Sequence, residues 1–331
     1  MDWKAFYRAE LASPEGRALV LETVRRHAHG EPALADVLRA GGALSVPHTT
    51  LRASAEPIAR AVAALHAAGA ARVLALGVLH GGTLPKQFRP LHEAYASWAA
   101  SGAEAFPLVQ GIFDELGGAF WAAGPLETPF GEVPAAAPPP DRELLRGHPA
   151  LLAGEFSLDL FLGLLAAHAL AHGREPLPVL PVYVSLTRDP QGSFHTATQV
   201  ARALAGLCEE GTAVVATGDL VHYGHVYSTE EEMAGLPADP AALEAHFRAR
   251  VQEILALALG RRDYEASYRE SLHALKSDQR HLLPVLAELL GDGATAEIVA
   301  FALTDYSGIW RVEPPCVVAS ALVAYRPGGP R

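Results

Sequence analysis

Arg72-Val73-Leu74-Ala75-Leu76-Gly77-Val78-Leu79, followed at once by His80-Gly81-Gly82, is the stretch from which the fold is read. A short, almost wholly apolar run without polar alternation is the pattern of a strand covered on both faces. Upstream, Ser54 to Ala70 is Ala-rich, carries Ile58, Val62 and Leu65 on one face and has Gly69 near its end, which predicts a helix. Before it, Ala43-Leu44-Ser45-Val46 reads as a strand stopped by Pro47 and His48. Strand, helix, strand is a βαβ unit, whose default is a parallel pair with a right-handed crossover.

Working outward, residues 1–42 predict amphipathic helices covering the main core. Between Pro85 and Asp141 the periodicity fades and Pro and Gly accumulate, ending in a proline-rich connection near 131–141; this predicts a surface excursion rather than core elements. A buried helix follows over 155–170. The run 177–184 is a strand whose Pro178 and Pro181 suggest an edge or irregular position. Residues 196–207 predict a helix, 212–218 a strand, 239–292 two or three helices, and 296–303 and 316–325 the last strands. The fold class that results is α/β: a single three-layer domain over 43–331 with a mainly parallel central sheet, behind the N-terminal helical extension.

Twenty-six basic against 37 acidic side chains give a net charge of −11 over 331 residues, which excludes a nucleic-acid binder relying on bulk charge. Half the residues are hydrophobic and 19% charged, the composition of a large dry interior. Cys208 and Cys316 have no Cys or His at ligand spacing, so neither a disulfide framework nor a zinc ribbon is expected. The first residues lack a signal-peptide pattern, and no run is long enough to span a membrane, so the expectation is a cytoplasmic protein. The apolar excess leaves room for a homodimer. Gly81-Gly82 lacks the Lys and the spacing of a phosphate-binding loop, and Gly117-Gly118 reads as a plain turn.

The 15 histidines are the unusual feature. His48 follows the first strand, His80 the second, and Asp219 with His222 the fourth. In open α/β sheets, side chains beyond the carboxyl ends of strands converge on one crevice, and two imidazoles there begin a metal site with open positions. The glycines after His80 would let backbone approach a ligand closely. For His27, His29, His66, His92, His148, His168, His172, His246 and His273 the plain reading is a solvated or hydrogen-bonded side chain. Asp219 alone would as readily be a helix N-cap; His195, His225 and His281 stay open.

The segments SVPHTT (45–50), VLALGVLHGG (73–82), EFSLDL (155–160), PVYVSL (181–186) and TGDLVHYG (217–224) occur in the order and approximate spacing of the Memo-like family. The chain resembles that family over roughly residues 43–325. Its bacterial members belong to a three-component system with a radical SAM protein, and its fold resembles the class III extradiol ring-cleaving dioxygenases. The resemblance implies that His48 and His80 are metal ligands, that His222 acts as acid and base, and that Asp219 is the acidic residue beside it. It also implies an unidentified small-molecule substrate and partner proteins from such a system, while the charge balance and the lack of a spanning run predict no role for nucleic acid or membrane.

Two positions depart from the family pattern. Glu155-Phe156-Ser157 stands where many members have Glu-His-Ser, and no cysteine lies in 276–285, where the family has a metal-binding one. Strict counting puts Arg280 there, which cannot ligate a metal because it stays protonated. A slip of two residues offers Asp278, completing a two-histidine, one-carboxylate face suited to Fe(II); a slip of one the other way offers His281, giving three histidines that zinc also accepts. Three functions follow: a metal-dependent oxidoreductase using Fe(II) or Cu, a non-catalytic binding module that has lost its metal, or a zinc hydrolase using Asp219.

Overall fold

The computed structural model describes residues 2–101, 107–137, 139–141 and 143–329; Pro138 of the proline-rich connection lies outside them. In chain order the strands are β1 (Ala43–Val46), β2 (Arg72–Val78), β3 (Ala119–Trp121), β4 (Leu126–Thr128), β5 (Gly131–Val133), β6 (Leu145–Gly147), β7 (Val179–Val184), β8 (Thr212–Thr217), β9 (His222–Gly224), β10 (Thr295–Asp305) and β11 (Cys316–Arg326). The principal sheet runs β10-β11-β1-β8-β2-β7-β3-β6, with β9 also on β11, and β4-β5 form a separate hairpin. The four central strands β1, β8, β2 and β7 are parallel to one another. The flanks are antiparallel where β11 meets β1 and β10 and where β3 meets β7. The sheet as a whole is therefore mixed, and the expected parallel arrangement holds for its centre.

Helices cover both faces. The N-terminal α1 (Trp3–Ala12), α2 (Pro14–Arg26) and α3 (Pro32–Arg39) pack on one side with α4 (Leu51–Ala68). After α5 (Arg89–Ser101), α6 (Pro107–Leu116) and α7 (Pro149–Leu152), the buried α8 (Asp159–Ala171) joins the same side. On the other side lie α9 (His195–Ala205), the short α10 (Glu230–Ala234), α11 (Pro240–Leu255), α12 (Tyr264–His273) and α13 (Leu282–Leu290). A last short helix, α14 (Ser307–Trp310), links β10 to β11. Strand residues alternate between the two cores: Val73 and Ala75 face α4 and α8, while Leu74, Leu76 and Val78 face the opposite helices. That alternation, with both faces covered, is why the run 72–79 is apolar at almost every position.

Three expectations change. The strand at 179–184 is interior, buried at every position between β2 and β3. Pro181 is tolerated because its carbonyl accepts from Ala122 N at 3.1 Å on the β3 side, and Ala122 already lies past the end of β3. The missing N–H of the same residue points to that side too, so no ladder bond is lost. The excursion between Pro85 and Asp141 also holds core elements: β3 extends the sheet, as β6 does just past Asp141, and Tyr95, Trp98, Ile112 and Leu116 are buried. Their strands are three residues each, too short for a period-2 signal. Finally, 155–158 precedes α8 instead of belonging to it. Among the described residues no helix is long and apolar enough to cross a membrane.

Candidate metal centre

β1, β8 and β2 are neighbours with the same direction, so the turns after Val46, Thr217 and Val78 emerge side by side. They deliver His48, Asp219 and His80 to one cleft of about 680 Å³. His222 arrives on β9, held to Val318 of β11 and to Leu275 O through its own N–H at 2.8 Å.

Asp278 reaches the same point from the segment between α12 and α13. Lys276 takes a left-handed turn at φ 52°. Ser277 Oγ and Asp278 N both donate to Asp219 O, at 3.2 and 3.0 Å. The fully buried Gln279 side chain donates to Ser45 Oγ at 2.7 Å and to Gly218 O at 2.8 Å. These bonds staple the segment across the ends of β1 and β8 and aim Asp278 at the histidines. Asp278 Oδ2 lies 3.2 Å from His48 Nε2, 3.5 Å from His80 Nε2 and 3.7 Å from His222 Nε2. It is buried and has no hydrogen-bond partner.

For two of the three rings the other nitrogen explains this, while His48 Nδ1 is buried without a partner. His80 Nδ1 is 3.0 Å from Glu155 Oε1, and His222 Nδ1 is 2.9 Å from Lys276 O. Carboxylate and carbonyl only accept, so each Nδ1 carries the proton and each Nε2 turns a lone pair towards Asp278 when the ring is neutral. Lone pairs facing an anionic oxygen require a positive charge between them, either protons or a cation. With metal–ligand bonds near 2.1 Å, neighbouring ligand atoms stand about 3.0 Å apart in an octahedron and about 3.4 Å apart in a tetrahedron, which the observed spacings approach. His48, His80 and Asp278 bring their ligand atoms within 4.8 Å of one another, as do Asp219, His222 and Asp278. The residues present thus fit a divalent cation, and a buried His48/His80/Asp278 group could hold one.

Electrostatics sharpen the division of labour. Burial resists charge on His80, yet the Glu155 and Asp278 carboxylates outweigh it and raise the ring to about 10. Glu155 is likewise opposed by burial, but His80 and the hydrogen bonds it receives bring it down to about 2. Asp278 is held well below the usual range despite burial, by His222, His80 and His48, whereas burial and the nearby Asp278 raise Asp219. Two carboxyls in one site are thereby pushed in opposite directions, one towards a fixed anion and the other towards holding a proton.

Of the residues expected from the sequence, His48, His80, His222, Asp219 and Asp278 come together. Asp219 is not a helix cap: its Oδ1 accepts from His48 N at 3.1 Å. His281 does not join the group: its Nδ1 is committed to Thr187 N, from which it accepts at 3.1 Å, and it lines a smaller adjoining hollow that His80 and Asp278 border as well. The glycine reading changes too: a Cβ on Gly81 would stand 2.3 Å from the His92 ring, so its bareness accommodates a side chain, while a Cβ on Gly82 would meet nothing. His195 and His225 are exposed and line none of the cleft.

Sequence reasoning missed five contributors. Glu155 orients His80, and Gln279 positions Asp278. Trp3 and Tyr7 of α1 form a wall of the cleft, with Trp3 rings 5.4 Å from Trp310 and 6.3 Å from Tyr306. Phe156 stacks on His80 at 4.5 Å and 16°. The conspicuous acid in Glu155-Phe156-Ser157 was the available signal for the first; the N-terminal aromatics gave none. No protein-family model matches the chain, and no curated protein matches it.

Proposed function

We propose that this chain is a metal-dependent oxidoreductase of the Memo-like, class III dioxygenase-like type acting on a small molecule. The observation that carries the proposal is the convergence of three imidazole Nε2 atoms on the partnerless Asp278 Oδ2 at the floor of a substrate-sized cleft. His48, His80 and Asp278 would hold Fe(II) or Cu, a two-histidine, one-carboxylate set that leaves positions open. Such an ion supplies Lewis acidity and one-electron chemistry towards O₂. Glu155 fixes the tautomer and orientation of His80, and Lys276 O does the same for His222.

His222 Nε2 is the atom that would move a proton, since its ring retains contact with the cleft while Nδ1 is committed to Lys276 O. Asp219, the carboxyl more ready to hold a proton, stands beside the same edge of His48, with Oδ2 at 3.7 Å from Nε2. Trp3, Tyr7, Tyr306 and Trp310 exclude water from the upper wall and offer a substrate flat apolar surfaces. The missing family cysteine and Phe156 favour a non-catalytic module; Asp278 beside both histidines supports the metal-dependent reading over it.

The test is an anaerobic titration with Fe(II), and in parallel with Cu and Zn, followed by calorimetry and by oxygen consumption against a panel of small phenols and hydroxy acids. One equivalent of Fe(II) or Cu, lost in both His48→Ala and Asp278→Ala, supports the proposal. Binding of no metal above background overturns it. Tight binding of Zn alone, with hydrolysis insensitive to O₂, replaces it with the hydrolase reading.

A further inference from the structure

Away from the cleft, three histidines that read as ordinary solvated side chains form a cluster of their own. His66 of α4 stacks on His168 of α8 with ring centroids 4.4 Å apart and 12° between planes. His172 also lies 4.4 Å from His168, its ring tilted by 50°. His168 is 2% exposed, and neither of its ring nitrogens has a hydrogen-bond partner. His66 Nε2 and His172 Nε2 are also buried and unpartnered. A neutral imidazole carries one donor and one lone pair, and leaving both unmet in the interior is unfavourable. Four such nitrogens in one place call for a shared partner.

The backbone supplies the rest. His66 is in the last turn of α4, and His168 and His172 are in the last turn and cap of α8. His172 N still donates to His168 O at 3.2 Å, so the i, i+4 spacing that sets two side chains on one helix face persists through the cap. Two helix C-termini therefore meet here, and their partial negative charges favour a cation. The charge facing the rings from outside is the Arg174 guanidinium, which opposes one. No carboxylate forms an ion pair with any of the three rings among the described residues, so hard cations such as Ca²⁺ or Mg²⁺ lack the oxygen ligands they need.

We propose that His66, His168 and His172 form a second metal site, selective for borderline late transition ions such as Zn(II), Ni(II) or Cu(II), that ties the C-terminal ends of α4 and α8 together. The stacked rings do not converge on one point as they stand; closing on a cation takes rotation of the half-buried His66 and His172 around the fixed His168. α4 is 18 residues, about 27 Å, long and begins three residues after His48, so this site is at the far end of the helix from the cleft. The same two helices start beside His48 and Glu155, and the cation would brace the supports of the cleft without touching it.

The experiment uses untagged full-length protein carrying Asp278→Ala, which takes the carboxylate out of the cleft group so that the added glutamine substitutions assign the binding that remains, titrated with Ni(II) and Cu(II) by calorimetry, thermal melting and Cu(II) electron paramagnetic resonance. One equivalent is expected, with a rise in melting temperature and superhyperfine structure from imidazole nitrogens. Adding His172→Gln or, separately, His66→Gln should weaken binding at least tenfold; both positions are half-buried and spare the core. Absence of binding in the Asp278→Ala protein overturns the site, as does binding that neither glutamine substitution weakens.

Discussion

Replacing Glu155 by Gln tests how the cleft is organised, because this one carboxylate receives five hydrogen bonds. Oε1 accepts from His80 Nδ1, Phe156 N and Ser157 N at 3.0, 2.8 and 2.9 Å; Oε2 accepts from His80 N and Thr83 Oγ1 at 2.8 and 2.9 Å. An amide keeps one oxygen, best placed at the three-donor position, and turns its NH₂ to the other. Thr83 adapts, since its hydroxyl also bonds His80 O at 2.8 Å and can accept instead. The His80 N–H is then stranded. Losing a bond to an ionised acceptor costs about 1.5–3 kcal/mol, and a carboxyl held at about 2 rather than 4.5 represents about 3 kcal/mol of preference for the anion. Metal-free E155Q should therefore be roughly 2–3 kcal/mol less stable in urea unfolding.

The pH dependence follows from the pair. The Glu155 contribution is present above pH 4.5 and lost as pH falls towards about 2. That of His80 is present below pH 6.5 and lost as pH rises through about 10. The gap between wild type and E155Q should therefore be widest between pH 4.5 and 6.5. With its Nδ1 bonded to a neutral amide oxygen in place of a carboxylate, His80 becomes a less basic ligand and should also bind metal about 10- to 100-fold more weakly, as measured by chelator competition. An E155Q protein within about 0.5 kcal/mol of wild type and within twofold in metal affinity would refute the reasoning, because the burial and the bonds would then carry no energy.

Other substitutions probe the remaining supports. Gln279→Leu strands the buried Gly218 carbonyl and releases the 276–280 segment, so it should cost about 2–4 kcal/mol and weaken metal binding through Asp278; intact affinity would show that Gln279 does not position that residue. Trp3→Ala removes an aromatic wall but no ligand, and should lower stability by roughly 2–4 kcal/mol while leaving metal affinity within a factor of about three. Asp159 is raised to about 6 by burial, against the pull of Lys4 and Arg8, so the folded state loses stability as pH rises from 3.8 through about 6. Asp159→Asn should remove that slope and match or exceed wild type at pH 7.5 by roughly 1–2 kcal/mol, checked by denaturation at pH 4.5 and 7.5.

The central parallel strands were legible because burial on both faces leaves a chemical mark in the chain itself: an apolar run of strand length, bounded by Pro, Gly or His. The same logic made His48, His80 and Asp219 visible, since each follows such a run directly. Pro181 misled because a proline's effect depends on whether a neighbouring strand continues opposite its nitrogen, a property of the sheet and not of the segment. β3 and β6 escaped notice because three residues cannot display a period.

Composition and local pattern determined that this chain builds an α/β sheet with histidines at its strand ends. Tertiary structure alone decided which side chain from the segment before α13 joins those histidines. Asp278, Arg280 and His281 are nearly adjacent in sequence, and the choice among them is made by Ser277 and Gln279 bonding to Asp219, Gly218 and Ser45. It also decided that α1 walls the cleft and that His66, His168 and His172 meet. Those contacts join residues tens to hundreds of positions apart, and their energies exist only once the sheet has brought them within bonding distance.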